Sequence, residues 1–501
     1  MKLEEDLRTY FGYTTFRTGQ KEIISTLLKE RDCLAMLPTG TGKSICYQLP
    51  ALLSAGTTII VSPLLSLMED QVQQLRSEGI KSVVALNSFM IRAERDEVLR
   101  KLHTYKMIYI SPEMLQVEFI QKRLAGLRIA YFVIDEAHCI SQWGHDFRPD
   151  YLRLGQVRKL LGEPPCLAVT ATATKEVQED ICTRLAMKHP VQAIYSVDRP
   201  IISYRVEHCT TIQEKMVKLK ELIHSLSGPG MIYFSSRMWA EKCARILQEE
   251  GVHRVAYYHG GLTTEDRLLI QQQFMNGEID VICCTSAFGM GINKKDIRYV
   301  IHFHYPADLE SYVQEIGRAA RDGKRGLAIL LYSEEDRGLV RMLAYGEQLT
   351  QEQLRYLLEK VQECQTRREE ESLIRRLGID DTVWRAIRYQ LEMRGVIVND
   401  QIQSFSIEAM AETIRHSQLE HLSLKKKKLH AFEQWIEAKS CRREGLLSYF
   451  SESLKEHPDN CCDHCGASET FLVSKKEQVY FSPLKPWKEL LANIFNTGVS
   501  E

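Results

Sequence analysis

The sequence predicts an α/β protein with two parallel-sheet domains in tandem, followed by a mainly helical region. In the first 200 residues, short apolar runs rich in β-branched residues alternate with longer amphipathic stretches. That alternation marks a parallel sheet covered by helices. Residues 231–332 repeat the plan, and after about residue 340 strand-like runs give way to charged helical sequence. The length of 501 residues suits about three domains.

Taken in order, the first domain offers strand candidates at Cys33–Leu37, Thr57–Ser62, Met107–Ser111, Tyr131–Ile134 and Cys166–Thr170. A proline interrupts the pattern within Asp198–Tyr204, which places a first boundary at 203/204. The second domain, 204–345, offers Met231–Phe234, Val281–Cys284, Tyr299–Phe303 and Ala328–Tyr332, with a loop at Ser227–Gly230. Residues 350–395 read as three helices. A hairpin is expected around Asn399 and Asp400, with Gly395–Val398 and Gln403–Ile407 as its strands. Helix–helix–helix–hairpin is the layout of a winged helix, so 346–424 is expected to be a winged-helix-like insertion. Its third helix carries Arg385, Arg388 and Arg394. Acidic residues balance the basic ones there, and a helical connector with solvated arginines is the competing reading. A basic run, Lys425–Lys428, opens the next segment, 425–470, and 471–501 forms a tail.

Hydrophobic residues make up 44% and charged residues 26%, which excludes a mostly disordered chain. The net charge of −1 excludes a simple polycation but not a local basic groove. No apolar run approaches 18 residues, and Met1–Tyr10 lacks a secretory core, so a cytoplasmic protein with no membrane partner is expected. Most of the 14 cysteines are scattered, as in a reduced cytosolic chain.

Residues Leu37–Ser44 follow an apolar run and precede a helical pattern, the context a phosphate cradle needs. Gly40 and Gly42, flanked by Thr39 and Thr41, let main-chain N–H groups face phosphates. Lys43 would contact the β- and γ-phosphates of ATP, and the Ser44 hydroxyl would ligate Mg²⁺. The general pattern begins with Gly, where this chain has Leu37. Phe132–His138 is an apolar strand ending in two acids. Asp135 is the candidate Mg²⁺ carboxylate, and Glu136 would orient and deprotonate the attacking water. In the second domain, Gln314–Gly323 contains Arg318 and Arg321, three apart and on one face if helical. No phosphate loop accompanies them, so they suit a cleft that closes over nucleotide bound to the first domain.

Four cysteines, Cys441, Cys461, Cys462 and Cys465, cluster late in the chain and suggest a structural Zn²⁺ site. Cys461 is the expected fourth thiolate, with Asp459 or His464 as alternatives. Trp143 and Phe147 offer π-faces to unstacked bases, worth about 1–3 kcal/mol each. His145 and Arg148 would add polar contacts.

Together these motifs resemble superfamily-2 helicases, specifically short bacterial-type members of the RecQ family of DNA helicases. The resemblance covers residues 7–338 nearly continuously and resumes from about 425 to 465. It implies two RecA-like domains and a zinc-binding subdomain. Phe11–Gln20 resembles the adenine-recognition element, which implies stacking by Tyr13 and edge recognition by Gln20 with Arg17 nearby. Ser141–Arg148 resembles the aromatic-rich loop that links DNA binding to hydrolysis. Val169–Thr174 resembles the segment coupling the two domains. Met231–Arg237 and Tyr258–Leu262 imply DNA-backbone contacts from Ser236, Arg237 and His259. Ala287–Lys294 and Gln314–Arg321 complete the set, with Gln314, Arg318 and Arg321 as catalytic residues. Ala320 replaces the family's usual Gly, and an extra methyl on a helix is expected to be harmless. Many family members carry their winged helix after the zinc site, whereas only 36 residues follow Cys465 here.

The resemblance implies an ATP- and Mg²⁺-dependent translocase acting 3′-to-5′ on single-stranded and tailed duplex DNA, in recombination and repair. A nucleoid-associated monomer is expected, with single-strand-binding protein or other repair proteins as candidate partners. The competing readings are an RNA helicase, and a DNA-annealing protein whose ATPase only switches binding.

Overall fold

The computed structural model describes residues 2–87, 90–141, 148–289, 294–346, 348–398 and 400–468. Two parallel sheets dominate. The first contains β1 (Cys33–Met36), β2 (Thr57–Val61), β3 (Val83–Leu86), β4 (Met107–Ile110), β5 (Ile129–Ile134), β6 (Cys166–Thr170) and β7 (Val191–Ile194), in the order β3-β4-β2-β5-β6-β1-β7. The second contains β8 (Ile202–His208), β9 (Gly230–Tyr233), β10 (Val255–Tyr258), β11 (Val281–Cys284), β12 (Tyr299–His302) and β13 (Gly326–Tyr332), in the order β10-β11-β9-β12-β13-β8. Every pairing is parallel, so crossover helices cover the faces. Central strands such as β6 and β11 are buried along their whole length, which explains their unbroken apolar sequence. The boundary expected at 203/204 falls inside β8.

Open parallel sheets gather loops at their carboxyl ends, where ligands bind. The phosphate loop follows β1, Asp135 follows β5, and the Arg318–Arg321 turn follows the helix after β12.

The insertion contains helices Gln351–Gln362, Arg367–Leu377 and Asp381–Met393, then the hairpin of β14 (Ile397–Val398) and β15 (Gln401–Ile402). Its own core includes Leu354, Leu358, Trp384, Leu391 and Ile414. The second hairpin strand lies earlier than expected, and Gln403–Ser406 instead leads into a 31-residue helix, Ile407–Glu437. Ser406 caps that helix by accepting from Ala409 N–H. The helix spans about 45 Å and carries the insertion's core at one end and Phe432 and Trp435 against the second domain at the other. No break marks the boundary expected at 424/425.

The three arginines of the third helix are placed unequally. Arg388 is buried and pairs with Glu370 at 2.7 Å, with Asp400 at 2.5 Å and with Glu392. Arg385 pairs with Asp381 and reaches Asp150 of the first domain at 3.3 Å. Arg153 pairs with Glu392 and lies under the Tyr389 ring. Arg388 is thus buried among carboxylates, Arg385 is exposed but paired, Arg394 is exposed, and the helix is docked on the first domain. Among the described residues no helix is long and apolar enough to cross a membrane.

Candidate nucleotide cleft and metal cluster

The phosphate loop is shaped by two glycines in the left-handed region, Gly40 at φ +83° and Gly42 at φ +76°. A Cβ on Gly40 would lie 2.9 Å from Arg321 Cγ, and one on Gly42 would lie 2.9 Å from Gln20 Nε2. The loop is therefore a cradle that side chains would fill. Lys43 Nζ lies 3.5 Å from Glu136 Oε1, and both side chains remain partly accessible. Glu136 itself has φ +47°, which turns its carboxylate back toward the loop. Among the described residues its second oxygen, Oε2, is buried with no hydrogen-bond partner, and His138 Nδ1 lies 3.4 Å away. A partly accessible carboxylate beside the phosphate cradle is placed to hold a water molecule.

Asp135 is buried, and its carboxyl is pushed up to about 6 by burial and by the neighbouring Glu136, with Lys43 opposing. A divalent cation would reverse that penalty. The Ser44 hydroxyl makes no capping bond at the start of helix Ile45–Leu53 and stays open as a second oxygen donor. This donor set fits Mg²⁺, a hard cation.

Gln20 is engaged with the phosphate loop. Its Nε2 donates to Thr41 O at 2.9 Å and Gly42 O at 3.0 Å, and its Oε1 accepts from Arg17 N–H at 2.9 Å. Arg17 also donates to Gly40 O at 2.6 Å. Both residues brace the phosphate loop. Tyr13 is exposed.

The second domain closes over this loop. Thr39 Oγ1 donates to Gly317 O at 2.8 Å, and Gln314 Nε2 donates to Thr172 Oγ1 at 3.3 Å. The two arginines make different contacts. Arg321 reaches the phosphate loop at Gly40, whereas buried Arg318 donates to Gly289 O within its own domain. They do not lie on a helix, because the helix Leu309–Ile316 ends before them and they occupy a turn. Ala320 lies in that turn at φ +56°. Its methyl is therefore not a helical surface feature; a non-Gly residue in this region costs roughly 1–2 kcal/mol.

The expected DNA contacts are placed unequally. Trp143, His145 and Phe147 lie outside the described residues. Arg148, at the end of that segment, donates to Pro63 O at 2.8 Å. Ser236 Oγ caps the helix Arg237–Glu249 by accepting from Trp239 N–H, and Arg237 is exposed. His259 is buried: Nδ1 accepts from Gly261 N–H at 3.2 Å, so Nε2 carries the proton and meets Glu241 Oε1 at 2.9 Å. It organises the 259–262 loop.

Cys441, Cys461, Cys462 and Cys465 converge with all four sulfurs within 4.8 Å of one another. Individual separations are 3.6 Å for Cys441–Cys461, 3.9 Å for Cys441–Cys462 and 3.6 Å for Cys462–Cys465. Four sulfurs around a tetrahedral zinc at about 2.3 Å would stand about 3.8 Å apart, so the donors fit that ion. Asp459 and His464 are outside the cluster, and His464 Nε2 instead meets Ala438 O at 3.1 Å. Asn460 at φ +62° makes the turn that lets adjacent Cys461 and Cys462 both contribute. The cysteine loop pairs with the edge strand β8, through Tyr204 N–H to Cys461 O and Ser203 Oγ to Asn460 O.

Comparison with known proteins agrees with these features. Residues 17–180 match the DEAD/DEAH box helicase model, 214–323 the helicase conserved C-terminal domain, and 401–466 the RecQ zinc-binding model. The chain is 45% identical to the probable ATP-dependent DNA helicase RecS of Bacillus subtilis, over 99% of this chain and 98% of that protein. It is 35% identical to the ATP-dependent DNA helicase RecQ of Haemophilus influenzae, over 92% of this chain but 62% of that longer protein. Among solved structures, the Mycobacterium smegmatis helicase Lhr bound to ssDNA and AMP-PNP superposes with a TM-score of 0.55. It is 19% identical, over 69% of this chain and 49% of that one. The DEAD-box helicase Mss116 bound to ssRNA gives a TM-score of 0.56 at 17% identity, over 78% of this chain and 89% of that one. At such identities these two structures speak to the fold alone.

Proposed function

The chain belongs to the RecQ family of ATP-dependent DNA helicases, and from that premise we propose that it is a DNA-stimulated ATP hydrolase that moves along single-stranded DNA and separates duplexes. The observation that carries this reading is the meeting of Arg321 from one sheet domain with Gly40 in the phosphate loop of the other. Hydrolysis then depends on closure, and a cycle of closure and release can be turned into movement on a strand held across both domains.

In this mechanism the ATP phosphates displace Glu136 from Lys43, because the triphosphate is the stronger anion at that ammonium. Glu136, released, orients the attacking water and takes its proton. Arg321 stabilises charge developing on the transferred phosphoryl group. Arg318 holds the Gly289 segment in register with the arginine turn. Tyr13 stacks on the adenine, while Arg17 and Gln20 keep the loop in shape. Ser44 and Asp135 would hold Mg²⁺, which neutralises phosphate charge. The four cysteines would hold Zn²⁺ with no open position, as in a structural site.

Trp143, Phe147, His145 and Arg148 are proposed to take up single-stranded DNA, with Arg237 on the second domain. Translocation 3′-to-5′, work in recombination and repair at the nucleoid, action as a monomer, and repair-protein partners follow from the family and are part of this proposal. The test is ATP hydrolysis without nucleic acid, with single-stranded DNA and with single-stranded RNA, alongside Glu136→Gln and unwinding of a tailed duplex. Stimulation by DNA with unwinding, lost in Glu136→Gln, is expected. Equal stimulation by RNA, or hydrolysis without strand separation, would overturn it.

A further inference from the structure

Arg199 lies in the connector between the two sheets, outside the nucleotide, DNA-contact and cysteine motifs. Its guanidinium donates to four main-chain carbonyls. One nitrogen, Nη1, reaches Thr39 O at 3.0 Å and Gly317 O at 3.1 Å; the other, Nη2, reaches Ala319 O at 3.2 Å and Ala320 O at 2.9 Å. The first acceptor belongs to the phosphate loop. The other three belong to the turn that carries Arg318 and Arg321. No ion pair among the described residues uses Arg199.

We propose that Arg199 is a positioning residue for ATP hydrolysis: it holds the arginine turn of the second domain in register with the phosphate loop of the first. The inference rests on the ATPase reading above. Three features support it. Only a planar fork with separate nitrogens can span four carbonyls in two domains; a lysine ammonium is a point donor. Carbonyl dipoles satisfy the guanidinium hydrogens without cancelling its charge as a carboxylate would. Arg199 therefore adds positive potential beside Arg321, whose ionisation is drawn down to about 9 by burial, by Arg318 and by Arg199. The crowding of these cations is relieved when an anionic terminal phosphate enters, so triphosphate favours the registered arrangement over diphosphate.

The connector is itself anchored. Arg443, fully buried beside the cysteine cluster, donates to Asp198, to Arg199 O at 3.2 Å and to Ile202 O at 2.5 Å, and its guanidinium lies 4.6 Å from the Tyr204 ring centre. Arg199 thus projects from a backbone fixed on its other side.

The experiment compares Arg199→Lys and Arg199→Gln with the unmodified full-length chain and with Arg321→Ala. It measures kcat and KM for ATP with saturating single-stranded DNA, affinities for ADP and for a non-hydrolysable triphosphate analogue, and the thermal midpoint without nucleotide. Both variants are expected to bind ADP within about twofold of the parent. Their kcat should fall about 10- to 100-fold, and their preference for triphosphate over ADP should drop toward that of Arg321→Ala, with little change in thermal midpoint. Parental kcat and preference in Arg199→Lys would overturn the proposal, as would equal loss of ADP and triphosphate binding, which marks a general structural role. If Arg321→Ala itself keeps full activity, the two-domain site is wrong, an outcome distinct from failure at Arg199 alone.

Discussion

Thr39 and Gly317 meet across the cleft: the Thr39 hydroxyl donates to the Gly317 carbonyl at 2.8 Å, and a Cβ on Gly317 would stand 2.1 Å from that same oxygen. The glycine is required by this approach and not by its backbone angle, since its φ is −63°. Gly317→Ala should therefore hold the domains apart. The expected result is a fall in kcat for ATP of about 10- to 100-fold, with ADP binding to the phosphate loop kept. Steady-state kinetics with a fluorescent ADP titration checks this, and an unimpaired kcat would show that the contact is dispensable.

The cysteine cluster is built into the second domain, since its loop pairs with β8 and Val206 N–H donates to Asp463 at 3.1 Å. Arg442 and Arg443 carry the same tie inward, Arg442 donating to Trp435 O and Ile436 O at 2.8 Å. Removing the metal should loosen strand and connector together. Metal analysis of reduced protein is expected to find about one zinc per chain. Chelation should lower the thermal midpoint and hydrolysis in parallel, and Cys461→Ser should do the same. Full metal content in Cys461→Ser would exclude that thiolate.

The arginines of the helix Asp381–Met393 should respond unequally to removal. Arg388→Ala leaves Glu370 buried beside Trp384 without its cation. Loss of one partner of a buried pair costs about 3–5 kcal/mol, so the insertion should become sensitive to limited proteolysis. Arg385→Ala removes only partly exposed contacts, worth about 1 kcal/mol or less. Duplex DNA affinity measured by anisotropy should move less than twofold in Arg385→Ala, because the helix faces the first domain. A large loss of DNA affinity there would restore the DNA-reading role.

What the sequence makes legible follows a strand's place in its sheet as well as its burial. Strands such as Val281–Cys284, buried on every side, appear as unbroken apolar runs, whereas Val191–Ile194, with Gln192 and Ile194 exposed, does not. The four strands hardest to see, Val83–Leu86, Val191–Ile194, Ile202–His208 and Val255–Tyr258, are the four edges of the two sheets. Contiguous chemistry is equally legible: Lys43, Ser44, Asp135 and Glu136 each sit in a local motif. Arg199 was invisible because its partners are backbone carbonyls, which carry no sequence. Gln20 and His259 were visible as residues but not as roles, since only packing reveals that their polar atoms are already engaged. The choice of Cys461 over Asp459 or His464 needed the turn at Asn460, a backbone angle and not a spacing.

His304 provides a pH test within the second domain. It is buried against Phe234, Trp239 and Phe303, and Nδ1 accepts from Ser235 N–H at 3.4 Å, next to the exposed Arg237. Its Nε2 faces Asp336 at 4.0 Å, but Asp336 already binds Lys215 at 2.6 Å. Burial, and then the Lys215 charge, draw the imidazole down to about 3 from its ordinary 6.5. The folded state thus keeps His304 neutral where the unfolded state would protonate it. Between pH 6.5 and 3 the unfolded chain binds more protons at this site, so stability rises with pH across that window and is lost on acidification. The contribution is on the order of a few kcal/mol. Asparagine can place an acceptor toward Ser235 without titrating. Denaturant unfolding of the parent and of His304→Asn should therefore show a steeper loss of stability below pH 6.5 in the parent. Parallel pH profiles for the two proteins would mean that His304 already shares its proton with Asp336 in the folded state.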